Sequence, residues 1–178
     1  MQLFKTSSSQ AHHASVRSLL RRSAYAALLL ITATPAAAQS GDPTSFASAA
    51  DVAAQVEDMG RAMKPGQGFS SRPLVRDDKT IAALEYWKAP GRPAVHPEDA
   101  EYALVVAGAG TMISGGTLEE AKVTQPGLTE GSRIIGGTTR NLVPGDVILI
   151  PAGVPHWFGI TGDRLVLLGT KLPRPEAR

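Results

Sequence analysis

Gly145-Asp146-Val147-Ile148-Leu149-Ile150-Pro151-Ala152-Gly153-Val154-Pro155-His156 is the stretch on which the reading of this chain turns. Gly145-Asp146 has the composition of a turn, and Val147 to Ile150 is an aliphatic, β-branched run that favours a strand. The segment from Pro151 to Pro155 combines fixed proline φ angles with one freely rotating glycine, so it predicts a stiff bend that returns the chain to where the strand came from. His156 is what that bend delivers. Strand alternation beyond it puts Phe158 and Ile160 on the same face as His156, and Trp157 on the opposite one.

A second stretch complements the first. His96 precedes Glu101 by five residues, and Glu101 is followed by six residues and then Gly108. A strand carrying His96, a turn, and a second strand opening with Glu101 can aim an imidazole and a carboxylate at one interior point of a narrow barrel. The sequence holds 4 histidines in all. His12 and His13 lie in a leader-like N-terminus, leaving His96 and His156 for the rest of the chain.

The other periodic segments fit the same architecture. Ile81 to Trp87, Tyr102 to Ala107, Thr111 to Ser114 and Leu165 to Leu168 read as short strands separated by Gly, Pro and Asp clusters, the pattern of an all-β sandwich or barrel. Gly115 to Gly131 reads as a long loop between two halves, and Gly136-Gly137 as a hairpin turn. Only one helix is expected. Val52, Val56, Met59 and Met63 recur at helical spacing between Asp51 and Met63, and Lys64-Pro65-Gly66-Gln67-Gly68 stops the run.

Residues 1–38 contain Lys5, Arg17, Arg21 and Arg22 and no acid, then an apolar run from Ala24 to Ile31, then Pro35 and Ala36-Ala37-Ala38. This predicts a secretory signal peptide cleaved before Gln39, with Arg21-Arg22 hinting at twin-arginine export. The apolar run is shorter than the ~20 residues that a bilayer core demands. The expected organisation is therefore signal peptide 1–38, flexible lead and amphipathic helix 39–70, β-barrel 71–173 and tail 174–178, in a periplasmic or secreted protein that keeps no membrane contact after cleavage.

Charge and cysteine content narrow the function. The formal net charge is +2 over 178 residues, but cleavage after residue 38 leaves 140 residues with 14 basic and 16 acidic side chains. No positive field remains to meet phosphates, so nucleic acid is not an expected partner. Cysteine is absent, so a hydrophobic core alone must hold the fold.

The two stretches resemble the paired motifs of the cupin superfamily, G(x)5HxH(x)3-4E(x)6G in its latter part and G(x)5PxG(x)2H(x)3N. The wider text Glu85-Tyr86-Trp87, Val95-His96-Pro97, Thr111 to Leu118, Ile134 to Thr139 and Pro155-His156-Trp157-Phe158 is similar to small exported bacterial cupins that carry an N-terminal helix. The resemblance implies a cupin jelly-roll β-barrel. It also implies a divalent-metal site on His96, Glu101 and His156, residues that would be catalytic as well. This N/O donor set suits Fe(II), Mn(II), Ni(II), Cu(II) or Zn(II). The sequence departs from the motifs at Ala94, where the first histidine of HxH belongs, and at Ile160, where the final Asn belongs. Four ligands are thus reduced to three, with Glu98 or Asp99 as a candidate replacement.

Two uses of such a site are consistent with the sequence. One is a metal-dependent oxygenase, isomerase or lyase acting on a small molecule, with proton transfer falling to Glu101 or to metal-bound water because no other acid or base stands out. The other is a non-catalytic cupin that binds a small molecule or sugar, in which His96 and His156 are hydrogen-bonded pocket residues and Glu101 has a raised pKa or another partner. Tyr86 and Phe158 are the expected aromatic walls of the pocket, with Trp87 a further candidate. Exposed strand edges and the helix favour a homodimer.

Overall fold

The computed structural model describes residues 42–173. The expected signal peptide and C-terminal tail lie outside these residues. One helix, α1 (Ala49–Ala62), leads into eleven strands. They are β1 (Phe69–Asp77), β2 (Thr80–Trp87), β3 (Ala94–Val95), β4 (Asp99–Ser114), β5 (Thr117–Glu119), β6 (Lys122–Gln125), β7 (Leu128–Glu130), β8 (Arg133–Ile135), β9 (Thr138–Leu142), β10 (Val147–Ile150) and β11 (His156–Pro173). Among the described residues no helix is long and apolar enough to cross a membrane.

Every strand pairing among these residues is antiparallel. Two long strands organise the rest: β4 and β11 pair with each other over most of their lengths, β11 also pairs with β2 and β3, and β4 with β9 and β10. β1 extends the sheet beyond β2, β7 and β6 extend it beyond β3, and β5 and β8 form a separate two-stranded ribbon. The expected strands Tyr102 to Ala107 and Thr111 to Ser114 are one strand, β4, bent where its register with β11 shifts between Ile160 and Leu165. Gly108 sits at this bend with φ +76, and a Cβ there would collide with the carbonyl oxygen of Arg164. Glycine is required on both counts.

Two expectations fail in the middle of the chain. The segment Gly115 to Gly131 is not a structureless loop, for it contains β5, β6 and β7. Gly136-Gly137 connects β8 to β9, but these do not form a hairpin: β8 pairs with β5 and β9 with β4. The reason is shared. These strands are short and carry exposed polar side chains, β6 being exposed throughout, so they have no hydrophobic period and exist through backbone pairing to distant partners.

Alternation along the strands divides the apolar residues between two clusters. Inside the barrel, Ala103, Val105, Met112, Leu142, Ile148, Ile150, Phe158, Leu165 and Leu167 form the core. β10 shows the period plainly, with Ile148 and Ile150 buried and Val147 and Leu149 exposed. Outside, α1 lays Val56, Met59 and its C-cap residue Met63 over Leu84, Tyr86 and Val166. Val52 packs against the same cluster, completing the expected helical face. Ser48 and Asp51 form a capping box at the start of α1. Met63 leaves the helix in an extended conformation two residues before Pro65, whose ring disfavours helical continuation. The helix therefore covers one outer face of the sheet, which fixes the opposite face of β2 as the interior.

Candidate metal centre

His96, Glu101 and His156 converge. Each presents a ligand atom, and these atoms lie within 4.8 Å of one another. Among the described residues this is the only group of three or more histidines, cysteines or acids so arranged.

Local backbone bonding explains why the two motif stretches meet. His156 opens β11 opposite Ala94 of β3, two residues before His96. The Pro151 to Pro155 bend closes on itself through Val154 N–H to Pro151 O at 3.2 Å, and Gly153 N–H donates to His96 O at 2.8 Å. Gly153 adopts φ +80, which only glycine takes without strain. The bend thus ties both histidine-bearing segments together directly. Glu101 enters on β4, where it stands opposite Ile150 on one side and Lys171 on the other.

The hydrogen bonds of the imidazoles set their chemistry. His156 Nδ1 lies 3.1 Å from Val154 O and His96 Nδ1 lies 3.3 Å from Gly127 O. A carbonyl only accepts, so Nδ1 carries the proton in each ring and Nε2 of a neutral ring carries a lone pair. Those Nε2 atoms face Glu101 Oε2 at 3.5 Å from His96 and 3.3 Å from His156. The ring centroids are 5.5 Å apart. Three acceptors thus face one another, an arrangement that repels unless a proton or a metal cation lies between. Ligands about 2.1 Å from a metal and at right angles to each other are about 3 Å apart, close to the histidine–glutamate distances here. The donor set fits a divalent transition metal.

Electrostatics favour the metal-ready protonation states. Burial pulls the His96 pKa below its usual value, and the Lys171 charge lowers it further, both favouring the neutral ring. Burial of Glu101 opposes its ionisation, but in the absence of a metal a proton shared with His156 Nε2, together with the Lys171 ammonium, outweighs that and holds its pKa down to about 2. Glu101 and His156 are each only 5% exposed. Glu98 and Asp99 do not join the group; Glu98 is exposed and Asp99 opens β4 opposite Pro173.

The centre opens into a cavity of about 450 Å³, lined in part by Phe69, Glu85, Trp87, Phe158 and Lys171. A larger depression of about 640 Å³ beside β9 and β10 contains none of the three converging residues. Phe158 stands where alternation from His156 puts it, its ring 5.9 Å from that of His156 and edge-on. Tyr86 does not line the cavity. It is buried in the cluster under α1, its hydroxyl against the turn of the helix at Gly60. The physical reason is strand parity: with Tyr86 and Leu84 turned out to the helix, Glu85 and Trp87 turn in. Trp157 also lines the cavity and donates from Nε1 to Gly91 O at 2.9 Å.

Sequence reasoning found no further acid or base, and the structure supplies two. Lys171 Nζ pairs with Glu101 Oε2, the oxygen that both histidines face. Glu85 accepts from Trp87 Nε1 at 3.3 Å, and burial, reinforced by the Glu101 charge, raises its pKa. The alternation Leu84, Glu85, Tyr86, Trp87 is visible in the sequence, but which pair faces inward is not. For Lys171 no sequence signal exists, since only the β4–β11 register sets it opposite Glu101.

Comparison with known proteins yields no matching family model and no matching curated protein. Solved structures do match. Hydroquinone 1,2-dioxygenase PnpCD, in a complex with Cd2+ and 4-hydroxybenzonitrile, aligns with a TM-score of 0.50 at 16% identity, over 67% of this chain and 72% of that one. DMSP lyase DddQ from Ruegeria pomeroyi DSS-3 aligns with a TM-score of 0.48 at 19% identity, over 78% of this chain and 71% of that one. TT1209 from Thermus thermophilus aligns with a TM-score of 0.45 at 18% identity, over 66% and 96% respectively. This chain has the cupin fold, an antiparallel jelly-roll barrel preceded by one helix. Within it lies a His–Glu–His group able to hold a metal.

Proposed function

We propose that this chain is a divalent-metal-dependent enzyme acting on a small molecule that enters the cavity and meets the open face of His96, Glu101 and His156. The observation that carries this is the meeting of two Nε2 lone pairs and one ionised carboxylate at a site that holds both histidines in the Nδ1–H form. His96, Glu101 and His156 would hold an Fe, Mn, Ni, Cu or Zn ion, which would supply Lewis acidity or, for a redox-active ion, electron-transfer chemistry. The protein's own groups do the rest. Val154 O and Gly127 O fix the imidazoles, Glu101 offsets part of the ion's charge, and the half-buried Glu85 holds or yields a proton on the same cavity wall. The reaction types compatible with this are dioxygenase, isomerase and lyase chemistry.

One observation favours a second reading, a non-catalytic cupin that binds a small molecule or sugar. Lys171 already neutralises Glu101, and Ala94 removes a ligand, so the site can also persist without metal. Elemental analysis of anaerobically purified protein decides between them. The expected result is one transition metal per chain, lost in His96→Ala and His156→Ala, with a thermal midpoint that rises on adding Mn(II), Fe(II), Ni(II) or Zn(II). A metal-free protein indifferent to all of these ions leaves only the binding role.

Export and self-association belong to the same proposal. The basic, apolar and small-residue order of residues 1–38 supports a periplasmic or secreted location, which N-terminal sequencing of the protein from a periplasmic extract tests. Tyr102, Val147 and Leu149, 37%, 63% and 62% exposed on one outer sheet face, support a homodimer.

A further inference from the structure

The cavity beside the histidines contains more charge than ligation of a metal needs. Lys171 and Glu101 cancel, and so do Arg92 and Glu130 on the same walls. A divalent ion at His96, Glu101 and His156 would add two positive charges, and Glu85, which burial biases toward its protonated form, can offset at most one of them. An uncompensated charge at a site where Glu101 is 5% exposed is costly, so a ligand that completes the site gains by bringing negative charge.

Position narrows the place where that charge docks. The Lys171 side chain is 39% exposed and lines the cavity, whereas Glu101 is nearly enclosed, so the ammonium lies on the solvent side of the carboxylate. Its flexible stem lets it leave Glu101 Oε2 when a metal takes that oxygen and turn to an incoming anion. Arg92, the other cation on the cavity wall, is engaged with Gly131 O through Nε and Nη2, both at 3.4 Å.

We infer that Lys171 is the docking residue for a carboxylate, and that the ligand of this cavity is a small monocarboxylate with an apolar, ring-sized body. This rests on the metal-dependent reading above and names its substrate class. One ammonium matches one carboxylate. Phosphate carries more charge than one ammonium matches and has no apolar body for the contact that Phe69, Trp87, Leu128 and Phe158 supply. Phe69 and Trp87 are packed with ring centroids 4.1 Å apart, making one continuous aromatic surface.

Isothermal titration calorimetry with benzoate, benzamide and inorganic phosphate tests this on the Zn(II)-loaded chain and on the metal-free chain. Saturable benzoate binding is expected in the loaded chain, at least tenfold tighter than benzamide or phosphate. It should weaken at least tenfold in Lys171→Met and stay within about threefold of the parent in Lys171→Arg, which preserves the charge. Zn(II) titrated alone should bind Lys171→Met at least as tightly as the parent, because a competing cation has gone. Benzoate affinity unchanged in Lys171→Met, phosphate binding as tight as benzoate, or no benzoate binding in either form overturns the inference. Failure of Zn(II) to bind the parent chain overturns the metal reading instead, and Lys171-dependence of benzoate in the metal-free chain then decides the docking role separately.

Discussion

Glu101 and Glu85 are two carboxyl groups on one cavity wall with opposite fates. Glu101 has Lys171 and His156 beside it and ionises readily; Glu85 has only the Trp87 indole as a hydrogen-bond donor and resists ionisation. Their contributions to stability therefore run in opposite directions with pH. Because the folded-state pKa of Glu101 lies below the reference 4.5, the stability it contributes to the metal-free protein is complete above about pH 4.5 and is lost as pH falls toward 2. For Glu85 the folded pKa is raised, so its contribution is present below 4.5 and disappears as pH rises through that folded value. Glu85→Gln keeps the acceptor for Trp87 Nε1 and never ionises. In urea denaturation the variant should gain stability on the parent as pH rises above the reference 4.5, with a flat difference below it. A difference independent of pH would mean that Glu85 is not buried as described.

Among the elements, α1 and the β4 bend position the site without touching it. α1 buries Met59 completely and holds Tyr86 outward, which is what turns Glu85 and Trp87 into the cavity. Met59→Ala should cost about 2–5 kcal/mol in chemical denaturation, the usual range for emptying a core site. At the bend, Gly108→Ala combines a left-handed backbone with a clash against the Arg164 carbonyl, and a loss of about 2 kcal/mol or more is expected from the same measurement. The helix was legible because Val52, Val56, Met59 and Met63 repeat at one period, and the strands β2 and β10 because aliphatic runs end in turn residues. β5 to β8 were not, because their stability lies in pairing with partners that sequence order does not identify.

Over the molecule as a whole, two apolar outer faces have different fates. The one over β2 and β11 is closed by α1; the one formed by Tyr102, Val147 and Leu149 is open. If the proposed homodimer forms through this face, Leu149→Lys shifts it to monomer in sedimentation or light scattering while leaving Zn(II) affinity unchanged, since Leu149 points away from the barrel interior. A parent protein that is monomeric at all concentrations removes the dimer from the proposal.

Short-range patterns in the chain indicate a strand-rich sandwich or barrel with a single helix, from an alternating or helical period, a proline-bounded bend and the five-residue spacing of His96 and Glu101. The jelly-roll form and the meeting of His156 with that pair are what the resemblance to the paired cupin motifs implies. What surrounds the three side chains depends on long-range packing. Lys171 lies seventy residues from Glu101 and meets it only through strand register. Glu85 replaces Tyr86 in the cavity only because a helix covers the other face of β2. A strand's period says that neighbours point in opposite directions; only what packs on each side says which direction is inside.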